Sequence, residues 1–425
     1  MILEEGPKRD LRQLVLPQIG KLVATDDPWD PWQILDPQGQ PLGPVALYFA
    51  DLLAGGSPAT TLRSYGMDLL RWWRFLWVLG VEWDRATQRD ARDFALWMRM
   101  ADKPVRPHWR NGSEPDTRPA AGKVLPGAPN PVTGKLTIGP KYAPTTRAHC
   151  ETVLRQFYDF HLDQRTGALL VNPFPLVRGR RERRNASHKP TEPFQPERKG
   201  RYRPKVPKRI PRRIPDEKYT EIFARIRHNR DRALLEAWAS SGARASELLG
   251  AQQQHAKPGQ QVIGVIRKGT EDFQELPASP AAFVWLRLYQ EEVWRRGAGR
   301  GRAEPLWVTL RRPFRPLTYD AARIMFTRVN QLLGSNWTLH DLRHTASFRM
   351  ANDPEMSLHH VQLILGHKHL STTETYLNPS ADELIEHGLA HLTRMARKQN
   401  APQPAPPAPG YNPDSLNTLF GVIDG

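Results

Sequence analysis

Residues 338–347 read TLHDLRHTAS, placing two histidines four apart with an acid after the first and an arginine between them. Two chemistries compete for this pattern. A loose HExxH reading makes the histidines zinc ligands and the acid a general base. Against it, Asp341 is one methylene shorter than the glutamate of that motif, and no third ligand follows in a suitable pattern. Arg343 would also set a permanent positive charge beside a dication. The second chemistry is anion binding. Thr338 with Asp341 forms a helix N-cap, so His340 and Arg343, at i and i+3, share one face near a positive helix end. A guanidinium there suits phosphate by its fork geometry, and an imidazole can donate a proton or a hydrogen bond. Taken alone, the stretch also fits a surface helix with incidental charges.

Four further stretches bear on the choice. SSGARASELLG (240–250) sets Arg244 and Glu247 at i and i+3, where the carboxylate can hold the guanidinium. QVIGVIRKG (261–269) predicts a β-hairpin with Lys268 at its turn. Ser357 opens a helix that Gly366 closes, leaving His367 just past its end. In STTETY, Ser371 and Glu374 cap the next helix and place Tyr376 in its first turns. That tyrosine is either core packing or a nucleophile, since phenolate attack is a known covalent route.

The elements that must position these groups fall into two parts divided by charge. The chain has 425 residues, a net charge of +17 and 40 prolines. Such a balance points to a polyanionic partner: DNA, RNA or an anionic membrane. Between 178 and 215 lie 15 Lys/Arg against three acids, with seven prolines that forbid a regular helix. This segment is either a solvated linker or a strap along phosphates, carried by Arg201, Arg203, Lys205, Lys208, Arg209, Arg212 and Arg213. Upstream, Ser57-Pro58 starts an amphipathic helix with Leu62, Tyr65, Leu69, Trp72, Trp73 and Leu76 at helical spacing. A second helix begins near Pro144 and carries Val153, Leu154, Phe157 and Phe160. The aromatics belong to a core. Thr60, Thr61 and Arg63 at one start, and Thr145, Thr146 and Arg147 at the other, are candidates to meet a nucleic-acid backbone. Residues 101–141 form a long Pro/Gly-rich loop, and 1–43 an extension of weak pattern. Downstream, Ser380 and Glu383 cap a helix bearing Leu384, Ile385, Leu389, Leu392 and Met395. A proline-rich tail, 399–425, ends in an apolar tip that either docks on another subunit or packs back on its own domain. The single cysteine, Cys150, excludes an internal disulfide and fits a reducing cytoplasm. The N-terminus shows no secretory pattern, and no apolar run of about 18 residues predicts a membrane span.

SGARASE, RKG, HDLRH, LGH and STTETY, in that order, resemble the tyrosine recombinase (phage integrase) family. The resemblance covers roughly 216–380, with weaker motifs over 44–177. It implies a mainly α fold with a small β-hairpin or sheet, arranged as a two-domain C-shaped clamp. In that arrangement 44–177 is a SAM-like helical core-binding domain, 178–215 the interdomain linker and 216–398 a mixed α/β catalytic domain. It also implies that Tyr376 attacks a phosphodiester to form a 3′-phosphotyrosyl link, with Arg244, Arg343 and His367 stabilising the charge. Lys268 would protonate the 5′-oxygen, His340 assist as acid/base or orienter, and Glu247 support Arg244. Neither metal nor cofactor enters this chemistry. The implied partners are double-stranded DNA at recombination sites, a homo-tetramer on DNA from a monomer when free, and an accessory directionality factor. The expected location is the cytoplasm, on the nucleoid. Two departures stand out: Ala243 replaces a larger apolar residue, and the acidic TEDFQELP follows Lys268 where the family often has basic residues. A type IB topoisomerase, with a similar residue set, and a non-catalytic DNA-binding relative are the alternatives.

Overall fold

A computed structural model describes residues 9–104, 125–177, 199–206, 212–367 and 372–373. The chain divides into two compact units, 1–208 and 209–425, each with its own apolar core. Among the described residues it is mainly helical with two small sheets.

The first unit opens with a hairpin, β1 (Lys21–Ala24) antiparallel to β2 (Trp32–Leu35). Helices α1 (Gly43–Ala54), α2 (Ala59–Leu79), α3 (Gln88–Met100) and α4 (Pro144–Asp163) follow. The apolar stripe read along α2 is its buried face: Leu62, Leu69, Trp72, Trp73 and Leu76 are all within the core. The Trp72 indole donates to the Tyr158 hydroxyl on α4 at 2.8 Å, and that hydroxyl donates to the Trp83 carbonyl at 2.8 Å. Buried aromatic dipoles are thereby satisfied as well as packed. Ser57 does not cap α2: Pro58 occupies the cap position, with no side-chain bond to the first turn. Residues preceding 44 are part of this unit. Arg74 donates to the Ile19 and Gly20 carbonyls at 2.7 and 3.0 Å, and the Trp97 indole to the Leu14 carbonyl at 2.9 Å.

The second unit runs α5 (Asp216–Arg225), α6 (Asn229–Ser241) and α7 (Ala245–Leu249) into an antiparallel sheet. That sheet has order β3 (Ala256–Lys257), β4 (Val262–Ile266), β5 (Phe273–Pro277). Helices α8 (Pro280–Arg295), α9 (Tyr319–Leu333), α10 (Leu339–Ala351) and α11 (Leu358–Leu365) complete it. Helix α6 is central, with Leu234, Leu235 and Trp238 buried between α8 and α10. The β4–β5 hairpin read from QVIGVIRKG pairs Ile263 with Leu276 and Val265 with Gln274. Trp307 is fully buried and donates to the Leu248 carbonyl at 2.9 Å, fixing α7 from below.

Candidate active site

Four chain segments of the second unit come together, one of them the turn at residues 365–367. The first is the start of α7. Arg244 holds its cap position; its guanidinium donates to Glu247 at 2.7 Å and reaches the Gly366 carbonyl at 3.5 Å. Glu247, with only 1% of its side chain exposed, also accepts from the Arg244 amide at 2.9 Å and the Lys268 amide at 3.1 Å. Burial pushes its carboxyl up, but these bonds outweigh burial and hold it below the usual carboxylate range. Glu247 is therefore a brace that stays ionised.

The second segment is the start of α10. Asp341 accepts from the Thr338 amide at 2.7 Å and from its hydroxyl at 2.8 Å, closing the helix end as the sequence suggested. Arg343, 3% exposed, then reaches inward from the second turn. It donates to the Gly242 carbonyl at 2.6 Å and the Leu365 carbonyl at 2.7 Å. Those carbonyls terminate α6 and α11, where the macrodipole leaves partial negative charge. Both helices end in left-handed glycines, Gly242 at φ 65° and Gly366 at φ 62°, which turn the chain so that the carbonyls face the arginine. His340 is exposed, its ring edge-to-face with His344 at 4.2 Å between centroids.

The third segment is the turn itself. His367 Nε2 lies 3.0 Å from Arg343 Nη2, and its Nδ1 lies 2.9 Å from the Thr373 hydroxyl. Arginine only donates, so Nε2 is the acceptor and Nδ1 carries the proton. Burial, then the charges of Arg343, Arg244 and Arg267, push the imidazole down to about 4. The fourth segment is the β4–β5 turn, where Lys268 is exposed.

The structure thus brings Arg244, Glu247, Arg343 and His367 together, with Lys268 on the adjoining turn. Tyr376 lies outside the described residues, as do the helix read at 380–395, the C-terminal tip, Lys208 and Arg209. Two partners in this cluster are not evident from sequence. Thr373 lies within the STTETY stretch, but nothing in its type marks it out from Thr372 beside it. Arg267 sits in RKG beside Lys268, and its burial is invisible there because arginine is seldom buried. Two guanidinium groups around one turn, one of them braced by an imidazole, can bind and polarise an anion with several oxygens, such as a phosphodiester. Among the described residues, no three His, Cys, Asp or Glu side chains gather as metal ligands.

The other candidates lie apart from this cluster. Thr60, Thr61 and Arg63 occupy the first turns of α2, with Thr60 and Arg63 exposed. Arg63 stands 5.5 Å from the Trp32 ring centre. Thr145, Thr146 and Arg147 open α4. Arg201 and Lys205 are exposed, while Arg203 is bound to α4 through the Ala148 carbonyl at 3.2 Å and the Thr152 hydroxyl. Arg212 is exposed, and Arg213 stacks over Phe348 at 4.0 Å. No helix among the described residues is long and apolar enough to cross a membrane.

The class of protein that carries such a cluster emerges on comparison. Residues 212–383 match the model of the phage integrase family. Over these residues the chain is similar to the phage integrase, or tyrosine recombinase, family. Tyrosine recombinase XerC of Bacillus pumilus is 28% identical over 204 residues, 46% of this chain and 66% of the relative. Its namesake in Pelobacter propionicus is 34% identical over 158 residues, 37% of this chain and 50% of the relative. The matched part thus spans about half to two-thirds of these relatives' length. Among solved structures, a lambda integrase dimer bound to a COC′ core site aligns with TM-score 0.50 at 14% identity, covering 77% of this chain and 95% of that one. A XerH site-specific recombinase bound to a palindromic difH substrate aligns with TM-score 0.51 at 13% identity, covering 81% and 84%. At such identity these structures share the fold: two units, mainly helical, with small sheets.

Proposed function

We propose that the protein is a site-specific DNA recombinase of the integrase or transposase type that integrates or excises a mobile element. The observation that carries this reading is the common seat of Arg244, Arg343 and His367 on the 365–367 turn. Tyr376 Oη attacks phosphorus, and the bond to the 5′-oxygen breaks. A 3′-phosphotyrosyl link stores the ester, so no nucleotide cofactor is consumed. Charge grows on the non-bridging oxygens in the five-coordinate state, where Arg244 and Arg343 meet it while the neutral His367, accepting from Arg343, keeps that guanidinium aimed. Lys268 gives its proton to the departing 5′-oxygen, and His340 assists as acid/base or orients the tyrosine. A 5′-hydroxyl from another strand then reverses the steps.

The partner is double-stranded DNA, bound by a homo-tetramer that assembles on the sites from a monomer when free, with an accessory factor setting direction. The start of α2, the start of α4 and the exposed residues of 199–215 supply backbone contacts. The protein works on the nucleoid in the cytoplasm. The test is a set of nicked duplexes tiled from DNA flanking the gene, with wild type and Tyr376→Phe compared on denaturing gels. A covalent adduct formed by the wild type and lost in the variant is the expected result. An adduct that persists in Tyr376→Phe overturns the assignment of the nucleophile.

A further inference from the structure

Arg267 and Lys268 are neighbours on the β4–β5 turn, yet their side chains take opposite courses. Lys268 is exposed, whereas Arg267 is 5% exposed. The Arg267 guanidinium is tied to three elements. It donates to Glu247 of α7 at 3.0 Å, to Gln274 on the opposing strand at 2.7 Å, and to the Ile364 carbonyl in the last turn of α11. Gly366 completes the seat, since a Cβ there would stand 3.2 Å from Arg267 Cζ. Glu247 uses one carboxylate oxygen for Arg267 and the other for the Lys268 amide. The root of the lysine is thereby fixed, while its chain beyond Cα is free to extend.

We propose that Arg267 is a positioning residue that sets where the Lys268 ammonium reaches; this rests on the reading of Lys268 as the leaving-group acid. A buried guanidinium is costly unless fully paired, and a methionine would fill the same space at less cost. Packing alone therefore does not call for arginine. A general acid, in contrast, must arrive within about 3 Å of the departing oxygen. The turn beyond Lys268 is exposed and acidic. It is closed by main-chain bonds, from the Arg267 amide to the Asp272 carbonyl at 2.8 Å and from the Glu271 amide to the Arg267 carbonyl at 3.0 Å. These shape the turn but do not tie it to the rest of the domain. Arg267 supplies that tie by joining the hairpin to α7 and α11, the same two elements that carry Arg244 and the 365–367 turn.

The consequence is a selective defect. In the cleavage step the Tyr376 Oη–P bond forms, the P–O5′ bond breaks and the Lys268 proton moves to O5′. If sulfur replaces O5′, the leaving group is a thiolate whose conjugate acid has a pKa of about 8.5, against roughly 15.7 for water, so protonation is no longer needed. The experiment compares single-turnover adduct formation on two nicked duplexes that carry the cleavage point mapped with the wild type. One has the natural phosphodiester and the other a 5′-bridging phosphorothiolate. Arg267→Met and Arg267→Lys are measured beside Lys268→Met, with DNA affinity and far-ultraviolet circular dichroism as folding controls. Gln274→Ala provides a milder variant that loosens Arg267 without removing it.

Arg267→Met is expected to lose about 100-fold on the oxygen duplex, the scale of a general-acid contribution, and to come within about threefold of wild type on the sulfur duplex. Arg267→Lys and Gln274→Ala should show smaller losses with the same recovery. An equal loss on both duplexes overturns the proposal, because Arg267 would then be holding the arginine pair instead. No loss on either duplex overturns it in favour of packing. A Lys268→Met variant with full activity on the oxygen duplex overturns the reading of Lys268 itself, and the proposal falls with it.

Discussion

Arg343 shows most plainly how one side chain is locked in place by main-chain carbonyls. Its backbone sits on α10, yet its guanidinium is held by carbonyls from the ends of α6 and α11. The fork is therefore fixed in advance, and under the proposed reading a phosphate bound there would need little reorganisation. Arg343→Lys keeps the charge but loses the fork, so adduct formation should fall by about 100-fold or more while DNA affinity changes little. Single-turnover rates and equilibrium binding on one duplex check this; a parallel loss of affinity would mean that Arg343 serves binding alone. His367 yields a second prediction. Its folded value, about 4, lies below the free value of 6.5. Above pH 6.5 both states are neutral; as pH falls, the unfolded chain takes up a proton that the folded one refuses. Stability is therefore lost from about pH 6.5 downward until about pH 4. His367→Asn should flatten the decline of unfolding free energy across this window, and chemical denaturation at several pH values measures it. At this scale much was legible, because HDLRH and SGARASE name their residues by type and spacing. Arg267 was not, because its role lies in its bonds to Glu247, Gln274 and Ile364, which stand up to 97 residues away.

Among the elements, the helix ends matter more than the helix bodies. Gly242 closes α6 at φ 65°, and a Cβ there would stand 2.8 Å from Leu365 Cδ2. Gly242→Ala would strain the turn and push α11 away from Arg343. We expect about 1–2 kcal/mol of lost stability from the left-handed backbone alone, with a fall in adduct formation beyond what unfolding explains. Thermal unfolding and single-turnover cleavage together separate the two effects; normal cleavage in a destabilised variant would show that α11 can shift without harm. The apolar stripe of α2 was readable, because a period of 3.6 writes burial directly into sequence. The β1–β2 hairpin was not. Its strands are four residues long, and the segment before α2 is fastened by Arg74 and Trp97 through backbone carbonyls more than 50 residues away. A bond to a main-chain oxygen leaves no trace in the residue type that provides it.

For the molecule as a whole, charge and architecture are tied together through the basic stretch between the two units. Its described ends are not loose: 199–203 pairs with 175–177 and α4, whereas Ile214 is buried and its amide donates to Thr345 of α10 at 2.8 Å. Among the described basic residues here, Arg203 is bound to α4 and Arg213 stacks over Phe348, whereas Arg201 and Lys205 are exposed. Arg203→Ala should lower the stability of the first unit. Replacing Lys205, Lys208 and Arg209 by glutamine should weaken DNA binding and reduce the slope of log affinity against log salt by about one for each phosphate no longer neutralised. An unchanged slope would make those three charges bystanders. The central claim concerns one bond, and the most direct measurement is to identify it. A covalent complex trapped on a nicked duplex, digested with trypsin and analysed by mass spectrometry, should carry its nucleotide on the peptide spanning 369–394, at Tyr376. A nucleotide attached to any other residue, or to none in a complex that survives denaturation, would contradict the account.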